Sequence, residues 1–253
     1  MRPSLRLLAI LALAASLSPA QNATGGKPIR TADIYVRGLK PSDFPRMTKL
    51  APNVYVYQAF QVMPNIEHVF ITNCFVVVTS DGVLIGDALE TEEDVRALIA
   101  AVAKVTPQPI KYVVIGADHI DHTGGDLQVY VPGENILFMS ESYFNRLFPS
   151  MATGYPSEWA AMLKKAEAMN ARITIPGHGF IDSPQVLKEE LVNYRLAVEK
   201  IVSEGNRLHD SKVPLESAPR VSVLGMFQYW TRAAQNLPDD FRRVYMEADG
   251  LLK

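Results

Sequence analysis

Cysteine is nearly absent from this chain: Cys74 is the only one. A single thiol excludes an internal disulfide framework. Cys74 lies within an apolar run, residues 70–78, and reads there as a small buried hydrophobe rather than a nucleophile. Charge of one sign is also lacking. The formal net charge is −2 over 253 residues, with no basic stripe to suit a nucleic acid and no acidic tail. Beyond the N-terminus no apolar run approaches membrane-spanning length. No internal repeat is long enough for a solenoid. What is plentiful is apolar residue: 48% of the chain is hydrophobic, enough for one sizeable core without requiring a second.

The N-terminus has the form of a secretory signal. Arg2 and Arg6 give a positive start, residues 7–17 are rich in Leu and Ala, and Ser18-Pro19-Ala20 offers small residues to a signal peptidase. Cleavage after Ala20 is expected, with an uncleaved membrane anchor as the alternative. No Cys stands directly after that point to carry a lipid. An exported chain, periplasmic or secreted and without stable membrane insertion after cleavage, is the expectation. Residues 21–46 are polar and proline-punctuated and read as a loosely attached lead-in linker.

Residues 53–58 alternate Val and Tyr as a strand does, residues 69–79 make a longer strand, and Ser80-Asp81-Gly82 signals a hairpin into a strand over 83–85. Thr91 caps a helix whose apolar face is Val95, Leu98, Ile99, Val102 and Val105. Residues 110–115 have the pattern of a buried strand. Two more strands follow over 127–131 and 136–139, then a helix capped by Ser157, a strand over 172–175, and a long helix opened by Ser183-Pro184. Aromatic-rich helical stretches end the chain, over 227–234 and 241–246. This order suits mixed sheets covered by helices on their outer faces, an α/β class.

The chemistry concentrates just after strands. Asp118, His119, Asp121 and His122 fall within five residues after the 110–115 strand, in the stretch Asp-His-Ile-Asp-His-Thr-Gly-Gly. His178 sits in Pro-Gly-His-Gly after another strand. With Asp87 and Glu141, also at strand ends, these could supply the three or four ligands a divalent metal needs from separate segments. Each has a plainer reading alone: Asp87 as a turn residue, Glu141 as a helix-starting carboxylate, His178 as a hydrogen-bonding residue. The cluster of four is harder to explain by packing. His68 and His209 lie outside any cluster and are read as structural.

The stretch Asp-His-Ile-Asp-His-Thr-Gly-Gly resembles the His-x-His-x-Asp-His-x-Gly-Gly signature of the metallo-β-lactamase fold superfamily. Gly86-Asp87, Ser140-Glu141 and Pro176-Gly177-His178-Gly179 follow the family's order of features, and the resemblance spans residues 47–182. It implies an αββα sandwich with metals at one edge of paired sheets, residues 183–253 forming a helical C-terminal extension. It assigns His119 to a first metal site, Asp121, His122 and His178 to a second, and Glu141 to the place of a bridging Asp. Asp87 would support the loop.

Three departures from the family pattern stand out. Ala117 occupies the first His position, Glu141 is one methylene longer than Asp, and His122-Thr123-Gly124-Gly125-Asp126-Leu127 fits both the signature and a later family motif at once. An internal segment is therefore expected to be missing, leaving at most one well-held metal. The implied cofactor is zinc, as one or two divalent ions, with iron or manganese as alternatives. The implied activity is an exported metal-dependent hydrolase acting on an ester, lactone, amide or similar bond of a small molecule. Asp121 would orient the attacking water or accept its proton. The rival expectation is a non-catalytic exported binding module that keeps a degenerate form of the fold.

Overall fold

The computed structural model describes residues 28–61, 70–87, 89, 91–116 and 127–252. Its frame follows from strands that are apolar on both sides. In β3 (Phe70–Val78), Phe75 and Val77 enter one core, while Cys74 and Val76 enter another. Alternating side chains point to opposite faces, so a strand with apolar residues on both faces must be covered twice. The same holds for β2 (Val54–Gln61), with Val54 and Val56 in the first core and Tyr57 and Ala59 in the second.

The larger sheet runs β1-β2-β3-β4-β5, with β1 (Arg46–Ala51), β4 (Val83–Gly86) and β5 (Ile110–Val114). Its first four strands are antiparallel, and β5 pairs parallel to β4. The crossover between them is helix α1 (Glu92–Val105), capped as expected by Thr91, whose hydroxyl accepts the Asp94 N–H at 3.1 Å. Leu98 and Val102 bury against the sheet's outer face. Ile99, expected on that face, is 48% exposed, so the buried stripe is narrower than the sequence period suggested.

The smaller sheet runs β6-β7-β8, with β6 (Val129–Val131), β7 (Ile136–Phe138) and β8 (Ile173–Ile175). Ile136, Phe138, Ile173 and Ile175 meet Val54, Val56, Phe75 and Val77 between the sheets. Phe75 and Phe138 stack there at 5.2 Å. Leu137 and Met139 point the other way, against the helical layer of α2 (Pro156–Ala168), α3 (Pro184–Asp210) and α5 (Ala233–Ala248). A short α4 (Ala218–Val221) precedes α5. The architecture is therefore the expected αββα sandwich with a helical C-terminal region. Gly205 lets α3 and α5 approach, since a Cβ there would stand 2.7 Å from Val244 Cγ1.

Several local expectations change. α2 begins at Pro156 after Tyr155, so Ser157 lies in its first turn instead of capping it. Part of the aromatic stretch at 227–234 is a 3-10 turn, Gly225–Tyr229. β5 is not buried: Tyr112 and Val113 are 46% and 58% exposed, and among the described residues β5 is the end strand of its sheet. After residues 117–126 the chain returns to the end of β5, where the Leu127 N–H donates to Gly116 O at 2.8 Å.

Of the expected lead-in, residues 28–45 are folded onto the sandwich. Ile34, Leu39 and Phe44 pack with Ile71 and Phe180. Arg37 grips Asp182 with two bonds of 2.6 and 2.9 Å and lies over the Phe180 ring at 3.9 Å. His209 is structural as expected, with Nε2 3.0 Å from the Asp249 carboxylate. His68 lies outside the described residues.

Candidate functional site

The ends of β3, β4, β7 and β8 bring their polar residues together. β8 runs into Pro176-Gly177-His178-Gly179, and this turn is hydrogen-bonded to both neighbours. Gly177 N–H donates to Ser140 O at 3.0 Å, and Gly179 N–H donates to Ile71 O at 2.9 Å. The His178 ring is thereby buried between β3 and the turn after β7, edge-on to Phe144 at 5.1 Å. Its Nδ1 stands 3.2 Å from Thr72 Oγ1 and 3.3 Å from Ile71 O. A backbone carbonyl can only accept, so this side of the ring is the natural place for an N–H.

The other ring nitrogen, Nε2, faces Glu141 Oε1 at 2.7 Å. Glu141 belongs to the 3-10 turn Ser140–Ser142 that follows β7. Burial pulls the imidazole down, but the Glu141 carboxylate opposite outweighs it, and His178 is held above the ordinary histidine range. Asp87 completes the edge. Its Oδ1 accepts the Gly116 N–H at 2.6 Å, and its Oδ2 accepts the Ser140 hydroxyl. Burial pushes the Asp87 carboxyl up, and these two hydrogen bonds offset part of that rise.

Glu141 and His178, two of the expected metal ligands, are therefore brought into direct contact, and Asp87 supports the loop entry as expected. His119, Asp121 and His122 lie outside the described residues, as do Ala117 and Asp118. The segment that carries them leaves from Gly116, which is hydrogen-bonded to Asp87 in the same edge. Among the described residues, no group of three His, Cys, Asp or Glu side chains could hold a metal.

The donor chemistry of the Glu141–His178 pair fits a divalent ion. An imidazole anchored through Nδ1 with Nε2 facing a carboxylate has the orientation of a supported metal ligand. The spacing is that of a shared proton. Two ligand atoms on one tetrahedral zinc stand about 3.3 Å apart, so the pair would part by roughly 0.6 Å to admit it.

Asn73 was not anticipated. It is fully buried, and its side-chain NH2 donates to Pro176 O at 3.0 Å and to Gly179 O at 2.9 Å. The available signal was two adjacent polar residues, Thr72 and Asn73, inside the apolar run of β3. A buried polar group in a strand needs a partner and so points to one.

A sequence model described as the Metallo-beta-lactamase superfamily matches residues 69–129. No curated protein matches the chain. Among solved structures, a metallo-beta-lactamase from Pontibacter korlensis is 14% identical, with 59% of this chain and 98% of that one covered and a TM-score of 0.47. A metallo-beta-lactamase from Erythrobacter litoralis is 13% identical, with 59% and 91% covered and a TM-score of 0.49. The matched stretch, from β3 to the start of β6 within two facing sheets enclosed by helices, is thus similar to the Metallo-beta-lactamase superfamily.

Proposed function

We propose that this chain is an exported metal-dependent hydrolase, with zinc as its metal and an ester, lactone, amide or similar bond of a small molecule as its target. The observation that carries the reading is the buried contact of His178 Nε2 with Glu141 Oε1, at 2.7 Å, on a ring anchored through Nδ1. When bound, a divalent ion supplies Lewis acidity and makes a water acidic enough to ionise near neutral pH. The residues that would hold it are His178 and Glu141, with His119, Asp121 and His122 from the loop that leaves Gly116. Asp121 is assigned to orient the water and take its proton. Export rests on the signal-like residues 1–20.

A second reading has its own support. Ala117 stands where the signature has its first His, and Glu141 and His178 already satisfy each other. A binding module retaining the fold without turnover would have these features.

Metal content per chain, measured on protein purified without chelators, separates the two. The hydrolase reading expects about one ion per chain in the wild type, lost in Glu141→Ala/His178→Ala, together with turnover in a screen of ester, lactone and amide substrates. A folded wild type that takes up no zinc, iron or manganese sinks it in favour of the binding module.

A further inference from the structure

One residue of β3 takes three of the four carbonyls of the turn that carries His178. Asn73 N–H donates to Gly177 O at 2.8 Å, and its side-chain NH2 takes Pro176 O and Gly179 O. The remaining carbonyl of the turn, His178 O, accepts the Asn145 N–H at 2.9 Å. All four carbonyls from 176 to 179 are thus spoken for, three of them by Asn73.

The orientation of the Asn73 amide is itself set. Its Oδ1 accepts from Gln58 Nε2 at 3.1 Å, and Gln58 Oε1 accepts from Arg46 Nε at 2.9 Å. A chain of side-chain hydrogen bonds therefore crosses three neighbouring strands, from Arg46 on β1 through Gln58 on β2 to Asn73 on β3. It ends on the two carbonyls that flank the Gly177-His178 pair. A flipped amide would set its oxygen against both carbonyls and its NH2 against the Gln58 donor, so the carbonyls and Gln58 together fix the orientation of Asn73.

We infer that Asn73, oriented by Gln58, is a positioning residue that fixes the direction of His178 Nε2 toward the metal-binding edge. This rests on the reading of His178 as a ligand, and adds the residue that aims it. A purely structural Asn73 would satisfy buried carbonyls without affecting where Nε2 points. Because the backbone bond from Asn73 to Gly177 survives any substitution, loss of the side chain should loosen the turn at its two ends and let the ring swing.

The test compares Asn73→Leu, close in shape but without donors, with the wild type and with Val198→Ala, a core truncation in α3 outside β3 and the turn. Two readouts are taken on each full-length folded protein. One is the zinc dissociation constant from chelator competition. The other is the ring carbon–proton NMR signal of His178 in metal-free protein. Asn73→Leu is expected to weaken zinc binding by about 10–100-fold, the usual effect of removing a residue that orients a ligand. It should also broaden or split the His178 signal, while Val198→Ala changes neither.

The inference is overturned if Asn73→Leu keeps the wild-type affinity and ring signal, or if Val198→Ala changes them equally. Should wild type bind no zinc, the hydrolase reading falls, and the ring signal alone then decides for or against Asn73. If Asn73→Leu does not fold, Gln58→Leu takes its place. It leaves the Asn73 donors present but removes the bond that steadies the amide through Oδ1, so a smaller change of the same kind is expected and an unchanged ring signal overturns the inference.

Discussion

Asp87 and Ser140 meet across the gap between the two sheets, carboxylate to hydroxyl, and both hold left-handed backbone conformations, with φ of 61° and 46°. Neither is glycine, so the strain of both conformations is borne for the sake of the contact. Gly116 fits between them: a Cβ there would lie 2.2 Å from Ser140 Oγ and 2.9 Å from Asp87 Oδ1. Gly116→Ala should therefore destabilise the protein by about 1–3 kcal/mol through overpacking. Ser140→Gly in the same chain removes the clashing hydroxymethyl and suits the left-handed backbone, so it should recover part of the loss. Urea unfolding of the two single variants and the double variant gives the coupling. Additive losses would mean that the three residues do not share one space.

Asp240 supplies a pH dependence. It is fully buried on α5, its Oδ1 accepts the Met151 N–H at 2.7 Å, and its Oδ2 has no hydrogen-bond partner among the described residues. Burial holds this carboxyl well above the ordinary range. A raised folded pKa means that the protonated form is favoured by folding. The stability it contributes is full below the unfolded value of about 3.9 and is lost progressively as pH rises through the folded pKa. Asp240→Asn cannot ionise, so its stability relative to wild type should increase with pH. Urea midpoints at several pH values check this, and parallel curves for the two proteins would contradict it.

The clamp of the lead-in onto the sandwich is another point of attack. The side chains of Arg37 and Asp182 are only 11% and 10% exposed, and Asn145 Nδ2 reaches the same carboxylate at 3.3 Å. Arg37→Ala leaves the nearly buried Asp182 carboxylate without its cation and should cost about 3 kcal/mol, with the Asn145 amide keeping the loss at the low end for a broken buried pair. Arg37→Lys should recover little of this, because an ammonium can neither match the two-pronged contact nor stack on Phe180 in the same way. Thermal unfolding measures the loss, and limited proteolysis should show cleavage within residues 28–45 in the Ala variant first.

Cys74 is fully buried in β3, and burial pushes its thiol well above the usual range. It should resist thiol-specific reagents in the native protein and react fully in denaturant. Cys74→Ser places a hydroxyl in an apolar core and should cost about 1–3 kcal/mol. Rapid labelling of the native protein would show that β3 opens far more readily than its packing implies.

Much of the frame and part of the site could be read along the chain. Period-2 alternation located β2, Thr91 and Ser183 marked true helix starts, and a place just after a strand singled out His178 and Glu141 as candidates. These features are local: a cap and a strand face depend on residues within a few positions of each other. Other features depended on partners distant in sequence. The apolar run of β5 reads the same whether its strand is central or at an edge, and only the sheet order made it an exposed edge. The polar lead-in gave no local sign that Arg37 would find Asp182, 145 positions on. Asn73 stood out as polar in an apolar strand, but its partners at 176 and 179 lie more than 100 positions away. Short-range sterics and side-chain periodicity act within each segment, so most strands and helices, and the strand-end positions of His178 and Glu141, were legible along the chain. Only the tertiary structure decided which buried donor meets which buried acceptor, because that pairing is set when the sheets close and every buried polar group must find a partner.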